Sequence, residues 1–271
     1  MRSLTRLQDW PVPTAAAAVI APDGEVDSSG PTDQVFALAS VTKPLIAYAA
    51  LIAIEEGAFE LDDPAGPPGS TVRHLLSHTS GLAFDEPLAQ ARPGERRIYS
   101  NAGFEALAAF LEQAAGMSMA EYLQDGVLEP LGMSRTRLTG SAAAGAESTV
   151  SDLGRFVAEL QRPALVDPGT LAAATSVVFP GLDGVLPGYG RKRPNDWGLG
   201  FEIRDGKSPH WTGTTSSPAT FGHFGQSGTF LWVDPEAQIG CVCLTDRAFG
   251  DWAIAAWPEF TDAVLAESAG R

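Results

Sequence analysis

The sequence predicts an α+β protein in which an antiparallel sheet is flanked by helices and a mainly helical subdomain is inserted between its strands. Three observations predict it. Strand-like texture lies at both ends of the chain, in Ala15–Ile20 and in a series of short apolar segments after Trp197. The middle third has helical spacing instead. Between Val41 and Glu56 the residues Leu45, Ile46, Tyr48, Ala49, Leu51, Ile52 and Ile54 leave almost no polar face, and a helix apolar all round belongs inside a core. The strands at both ends then form one subdomain, 1–60 with 196–271, and the helices between form another, 61–195.

In chain order, Ala15–Ile20 is a short buried strand that ends at the turn Pro22-Asp23-Gly24. Val35–Ala39 is extended. The helix 41–56 follows, with Gly57 as its C-cap. Leu61–Gly69, rich in Asp, Pro and Gly, is a surface connection. Helices are expected at Val72–His78, Asn101–Gly116, Ser118–Leu128 and Ser151–Leu160, the last two each opened by a capping serine. Leu165–Asn195 is too interrupted by Gly and Pro to assign. Gly198–Ile203, Phe221–Gly222, Thr229–Val233 and Ile239–Leu244 are strands, the last two joined in a hairpin through Asp234-Pro235-Glu236. Trp257–Ala266 is a closing helix with Pro258 in its first turn.

The 271 residues suffice for one or two units at about 150 residues each. With 44% apolar and 19% charged residues the chain can bury a core. Its 33 acidic against 18 basic residues, net charge −15, disfavour nucleic acid and anionic membranes, which select clustered Lys and Arg. Cys241 and Cys243, two apart on a strand, point to one face and do not form a disulfide framework. The N-terminus lacks the apolar run of a signal peptide, and no stretch is long enough to span a membrane, so the expected location is the cytoplasm.

Chemistry concentrates in three places. Ser40-Val41-Thr42-Lys43 opens the apolar helix, putting a hydroxyl and an amine on one face about one turn apart. A desolvated lysine loses its proton readily and can take one from the serine, and the helix N-terminus favours a nearby oxyanion. Of the 18 basic residues only Lys43, Lys192 and Lys207 are lysines, and the latter two read as loop residues. The one lysine on a buried helix is where arginine, which keeps its proton, cannot serve. The plainer alternative is an N-cap serine with a snorkelling lysine. Tyr99-Ser100-Asn101 precedes a helix; Tyr99 beside an ammonium can ionise at lowered pKa and relay a proton, and Asn101 can orient a carbonyl, or it can simply cap the helix. In Gly222-His223-Phe224-Gly225-Gln226-Ser227-Gly228, Gly225 lets a substrate lie against a sheet edge. The Gln226 amide can face an oxyanion there, and His223 can bind a carboxylate or assist proton transfer. Alone, this is also an ordinary glycine-rich strand entry.

Together the three segments resemble the S-x-x-K, Y-x-N and K/H-x-G motifs of the penicillin-binding-protein-like serine hydrolases, the group of class C β-lactamases, D-alanyl-D-alanine carboxypeptidases and family VIII esterases. The similarity continues in His74–Leu82 (H-L-L-S-H-T-S-G-L), in Pro93-Gly94 through Phe104, in Leu128–Met133 (L-E-P-L-G-M) and in Ser148–Phe156, all in the same order. It implies the β-lactamase/transpeptidase-like fold. By position, Ser40 resembles the acylated nucleophile, Lys43 its proton acceptor, Tyr99 a second proton-handling group and Asn101 the residue that orients the acyl substrate. His223 and Gly225 occupy the third motif, and the amides of Ser40 and Gln226 correspond to the oxyanion hole. The resemblance implies no metal or organic cofactor.

The departures are His223 where class C β-lactamases usually carry lysine, the bulky Phe224, and a chain shorter than many relatives. These favour an intracellular esterase or amidase of small acyl substrates over a β-lactamase or D-alanyl-D-alanine carboxypeptidase-like peptidase. A non-catalytic relative that binds a ligand in the retained cleft is a further alternative. His74 and His78, spaced i, i+4, raise the thought of a metal, but the glutamate usual beside the first histidine of such a helix is Leu75 here.

Overall fold

The structure, a computed structural model, describes residues 1–270. A 3₁₀ segment, Ser3–Asp9, leads into β1 (Ala15–Ala21), whose alanines and β-branched residues pack on both faces. After the expected turn the chain returns as β2 (Gly24–Ser29), a strand the sequence did not suggest. Its residues Glu25, Asp27, Ser28 and Ser29 carry no apolar alternation because it is the sheet edge, paired on one side only. The extended stretch at Val35–Ala39 reduces to β3 (Phe36–Ala37).

Helix α1 (Thr42–Glu55) is buried from Thr42 through Ala53, as its uniform apolarity predicts, and Pro44 is tolerated in its first turn. Gly57, just beyond the C-cap Glu56, adopts φ +77°, the left-handed geometry that ends the helix. Helix α2 (Val72–Leu76) is shorter than expected. It stops before His78, which sits at φ +58°, so His74 and His78 do not share a helix face. Helix α3 (Asn101–Ala115) is capped by Ser100, whose Oγ accepts the Gly103 N–H at 2.9 Å. Ser118 caps α4 (Met119–Leu123) in a reciprocal box with Glu121, and the remainder of that expected helix, Gln124–Leu128, is one π-helical turn. The strands β4 (Arg137–Leu138) and β5 (Ala146–Ser148) join β3 in a small sheet. Helix α5 (Val150–Gln161) is capped by Thr149 rather than Ser151, so it begins before Ser151. The unassigned stretch holds α6 (Pro168–Ala174) and a hairpin of β6 (Gly184–Leu186) with β7 (Gly190–Lys192).

The expected strand at Gly198–Ile203 is only β8 (Glu202–Ile203), because Gly198–Phe201 is a turn with Gly200 at φ +84°. Strand β9 runs on to Gly225 (Phe221–Gly225), followed by β10 (Thr229–Asp234) and β11 (Ile239–Thr245). The last helix, α7 (Asp251–Ser268), starts six residues ahead of the expected Trp257, which puts Pro258 in its interior. The turns on either side of Pro258 are held by Ala253, Trp257, Phe260 and Val264, all fully buried, so packing outweighs the lost backbone bond.

The main sheet is antiparallel, ordered β2-β1-β11-β10-β9-β8, so the first strand is zipped to the last between Ala15↔Thr245 and Ile20↔Gly240. Alternation divides its side chains. Ala16, Ala18, Ile20, Leu231, Val233, Val242 and Leu244 face the core around α1 and α5. Ala17, Val19, Phe230, Trp232, Cys241 and Cys243 face the aromatic layer of α7 and the N-terminal segment. Both thiols point to one face, as their spacing predicts, and both are buried and free. The sheet strands do come from the two chain ends, but α5, inside the 61–195 segment, packs on β1, β10 and β11. One continuous core therefore crosses that division.

Candidate active site

The site forms where α1 begins, under the end of β9. Ser40 lies in a 3₁₀ turn, Ala39–Val41, immediately before α1. Ala39 in front of it is held at φ +46°, a strained position for a residue with a Cβ. Two elements hold the turn there. The Leu38 N–H donates to Ala146 O on β5 at 2.9 Å, and Thr229 Oγ1 on β10 donates to Leu38 O at 2.8 Å. Gly225 completes the seat, since a Cβ there would stand 2.2 Å from Leu38 O and 2.5 Å from Thr229 Oγ1. The glycine thus serves the approach of the nucleophile turn to the sheet, a role the sequence reading assigned to a substrate.

One turn later Lys43 is fully buried. Its Nζ is 3.2 Å from Ser40 Oγ, 2.6 Å from Asn101 Oδ1 and 2.9 Å from Ala143 O. It also stands over the Tyr99 ring, 4.7 Å from the centroid. Burial lowers its pKa from 10.5 to about 7, against the opposing pull of Glu105 and Asp85. The two carbonyl oxygens can only accept. A neutral amine with two N–H bonds gives both to them, and its lone pair is left directed at the Ser40 hydroxyl. The geometry sets the Lys43 amine against the serine hydroxyl.

Asn101 is the first residue of α3, and its Nδ2 donates to Asp85 Oδ1 at 2.8 Å. The Tyr99 hydroxyl lies 3.5 Å from His223 Nε2. Burial raises the Tyr99 pKa, the opposite of the lowering expected from the sequence. The Asp85 carboxylate pushes the same way and a hydrogen bond with the Ser40 side chain offsets only part of the rise, while the Lys43 amine meets the ring face. On β9, His223 Nδ1 contacts Phe224 O at 2.7 Å, so that nitrogen carries the proton and Nε2 is an acceptor turned to Tyr99. Burial, with the charge of Lys43, lowers the His223 pKa to about 3, and the ring is neutral. Gln226 follows at the exposed end of β9, its carbonyl accepting the Phe249 N–H at 2.9 Å. Thus Ser40, Lys43, Tyr99, Asn101 and His223 are linked by contacts, with Gly225 beneath and Gln226 beside them.

A cavity of about 350 Å³ opens over Ser40, walled by Phe84, Leu186, Pro187, Trp197 and Phe224, with Glu202 at its edge. Several of these were not foreseen. Asp85 and Ala143 reach the site from loops remote in sequence, and no local pattern marks them. Glu202 belongs to a buried cluster: Lys207 Nζ at 2.7 Å, His210 Nε2 at 3.0 Å, and the Trp211 indole N–H. Lys207 and Lys192 are therefore not loop-surface lysines. Both are buried, with Lys192 Nζ donating to Pro209 O at 2.6 Å. A lysine and a carboxylate five apart across a turn were the available signal. His78 also lies beneath the site, its Nδ1 accepting the Ser100 N–H at 3.1 Å and its ring 4.6 Å from that of Tyr99.

A strained serine turn stands at the head of a buried helix, a lysine lies one turn along the same helix, and a strand closes over both. The chain belongs to the beta-lactamase family, whose model matches residues 6–264. It is similar to a beta-lactamase from Mycobacterium bovis of known crystal structure, with 60% identity, a TM-score of 0.98, and coverage of 98% of this chain and 99% of that one. Penicillin-binding protein 4* of Bacillus subtilis is 29% identical over 187 residues, 57% of this chain and 41% of its own length. Esterase EstB of Burkholderia gladioli is 32% identical over 149 residues, 37% of this chain and 38% of its own. The chain thus spans about two fifths of the length of these curated relatives. Among the described residues no helix is long and apolar enough to cross a membrane.

Proposed function

We propose that the protein hydrolyses esters, and more slowly amides, of small acyl groups through a covalent ester on Ser40. The observation that carries this is the Lys43 amine, desolvated to a pKa of about 7 and 3.2 Å from Ser40 Oγ, with its other contacts both acceptors. In this reading Lys43 takes the hydroxyl proton as Ser40 Oγ attacks the substrate carbonyl carbon, and the oxyanion is received by the backbone N–H groups of Ser40 and Gln226. Collapse breaks the bond to the leaving alcohol, which takes back the proton held by the Lys43 ammonium, while the neutral Tyr99 phenol stays protonated beside it. Water then repeats the sequence on the acyl-enzyme and frees the acid. Asn101 turns its amide to the acyl carbonyl or amide once released from Asp85.

The preference for esters over β-lactams rests on His223. Where a cation would meet the ring carboxylate of a penicillin, this site offers a neutral imidazole with an acceptor nitrogen. The cavity walls are largely apolar. A β-lactamase is the second reading, favoured by the 60% identity to the Mycobacterium bovis protein of that description. The cytoplasm is the location we assign, which cell fractionation tests.

Intact-protein mass spectrometry after mixing with p-nitrophenyl butyrate, nitrocefin or a D-alanyl-D-alanine peptide decides among these. The expected result is a butyryl adduct on Ser40, absent in Ser40→Ala, and kcat/KM higher for the butyrate than for nitrocefin. The reverse ranking makes β-lactam hydrolysis the activity. No adduct, and no fluorophosphonate labelling of Ser40, makes the protein a binding relative.

A further inference from the structure

Beside the Ser40 cavity lies a second one of about 410 Å³, and the two share Phe84, Tyr99 and Pro187 as a common wall. Ser40, His223 and Gln226 take no part in the second cavity, so it is an annex for a part of the substrate remote from the scissile bond. Its charge is opposite to that of the protein. In a chain of net charge −15, Arg96, Arg97 and Arg191 line the annex against one carboxylate, Asp183. That carboxylate is already shared, 3.0 Å from Arg191 and 3.1 Å from Arg193. Arg97 is buried and spends its guanidinium on the carbonyls of Ser77, Val178 and Phe179. Arg96 is exposed and donates only to Gln90 O, at 3.1 Å, with no carboxylate partner among the described residues. An underneutralised positive site in an acidic protein, opening off a mostly apolar cavity, suits an anion on an otherwise apolar substrate.

We propose that the annex binds an anionic group, a carboxylate, at the far end of the substrate, with Arg96 as its first partner and Arg191 as a second that exchanges from Asp183. Preferred substrates are then esters whose acyl or alcohol part ends in a carboxylate, with the apolar stem against Phe84 and Pro187. This rests on the reading of Ser40 as the acylated residue.

The test compares mono-p-nitrophenyl esters of succinate, glutarate, adipate and suberate with the same compounds methylated at the free acid. A second arm does the same for acetyl esters of ω-hydroxy acids. At the chain length that spans the two cavities, the free acid should exceed its methyl ester in kcat/KM by about tenfold, a preference that shrinks with added salt. In folded Arg96→Gln/Arg191→Gln, checked by melting temperature, that ratio should fall to near one. Preference in the first arm places the anion on the acyl side, and in the second on the alcohol side. Ser40-dependent hydrolysis with no anion preference in either arm, or a preference that survives the double substitution, overturns the proposal. Hydrolysis that survives Ser40→Ala overturns the underlying reading instead, so the two failures are distinct.

Discussion

The Asn101 side-chain amide donates to the Asp85 carboxylate at 2.8 Å, while its oxygen accepts from Lys43 at 2.6 Å. A substrate that takes the N–H given to Asp85 must displace that carboxylate, and the same carboxylate raises the pKa of Lys43.

Asp85→Ala is therefore expected to act twice. Freeing the amide lowers KM. Removing a negative charge lowers the Lys43 pKa further, so the acid limb of kcat/KM moves to lower pH. A pH–rate profile of both proteins checks the direction; a shift to higher pH contradicts the assignment.

Lys43 should be a burden on the folded state. Its pKa is lowered to about 7 when folded, below the 10.5 of the unfolded chain, so below pH 7 the folded state must bury an ammonium. As pH rises from 7 towards 10.5 the folded state has shed the proton that the unfolded state keeps, and the penalty fades. The full cost is about 5 kcal/mol, reduced in practice by the partners a substitution leaves unmade. Lys43→Met should thus gain stability relative to wild type most at pH 6 and least near pH 10, read from urea unfolding at both. Lys43→Arg, which cannot give up its proton, should fail to acylate.

Gly225→Ala should fold and lose activity. The new methyl meets Leu38 O at 2.2 Å, so the turn carrying Ser40 must move. A displacement of about 1 Å in a nucleophile costs on the order of a hundredfold in rate. Unchanged kcat with an unchanged melting temperature would show that the turn has room.

Lys207→Met should destabilise strongly, although Lys207 makes no contact with Ser40, Lys43 or Tyr99. It leaves the buried Glu202 with His210 and the Trp211 indole but removes its ion pair with Lys207, which spans 2.7 Å between side chains that are almost wholly inaccessible. Breaking such a pair from one side costs about 3–5 kcal/mol, seen as a fall in melting temperature.

These residues also show what a sequence can and cannot disclose. The all-apolar α1 and the order of the three motifs announce themselves because periodicity and spacing are local. Strand β2 hides because an edge strand needs no apolar face, and α7 is longer than expected because tertiary packing of Ala253 and Trp257 carries it through Pro258. Lys207 looks like a loop cation until the turn that folds it onto Glu202 is known. Asp85 and Ala143 meet Asn101 and Lys43 only through the closure of long loops, and no spacing encodes that.

The two cysteines on β11 have a use of their own. Cys241 and Cys243 lie in the middle of the main sheet, zipped between β1 and β10, with burial raising both thiol pKa values. Neither is a reactive thiol in the native protein. Both thiols face α7 and the N-terminal segment, so a reagent reaches either only when that layer lifts off the sheet. Thiol labelling is then a natural gauge of that opening, moving from none to two groups per chain in one step, at a rate set by how often the closing helix lets go of the sheet.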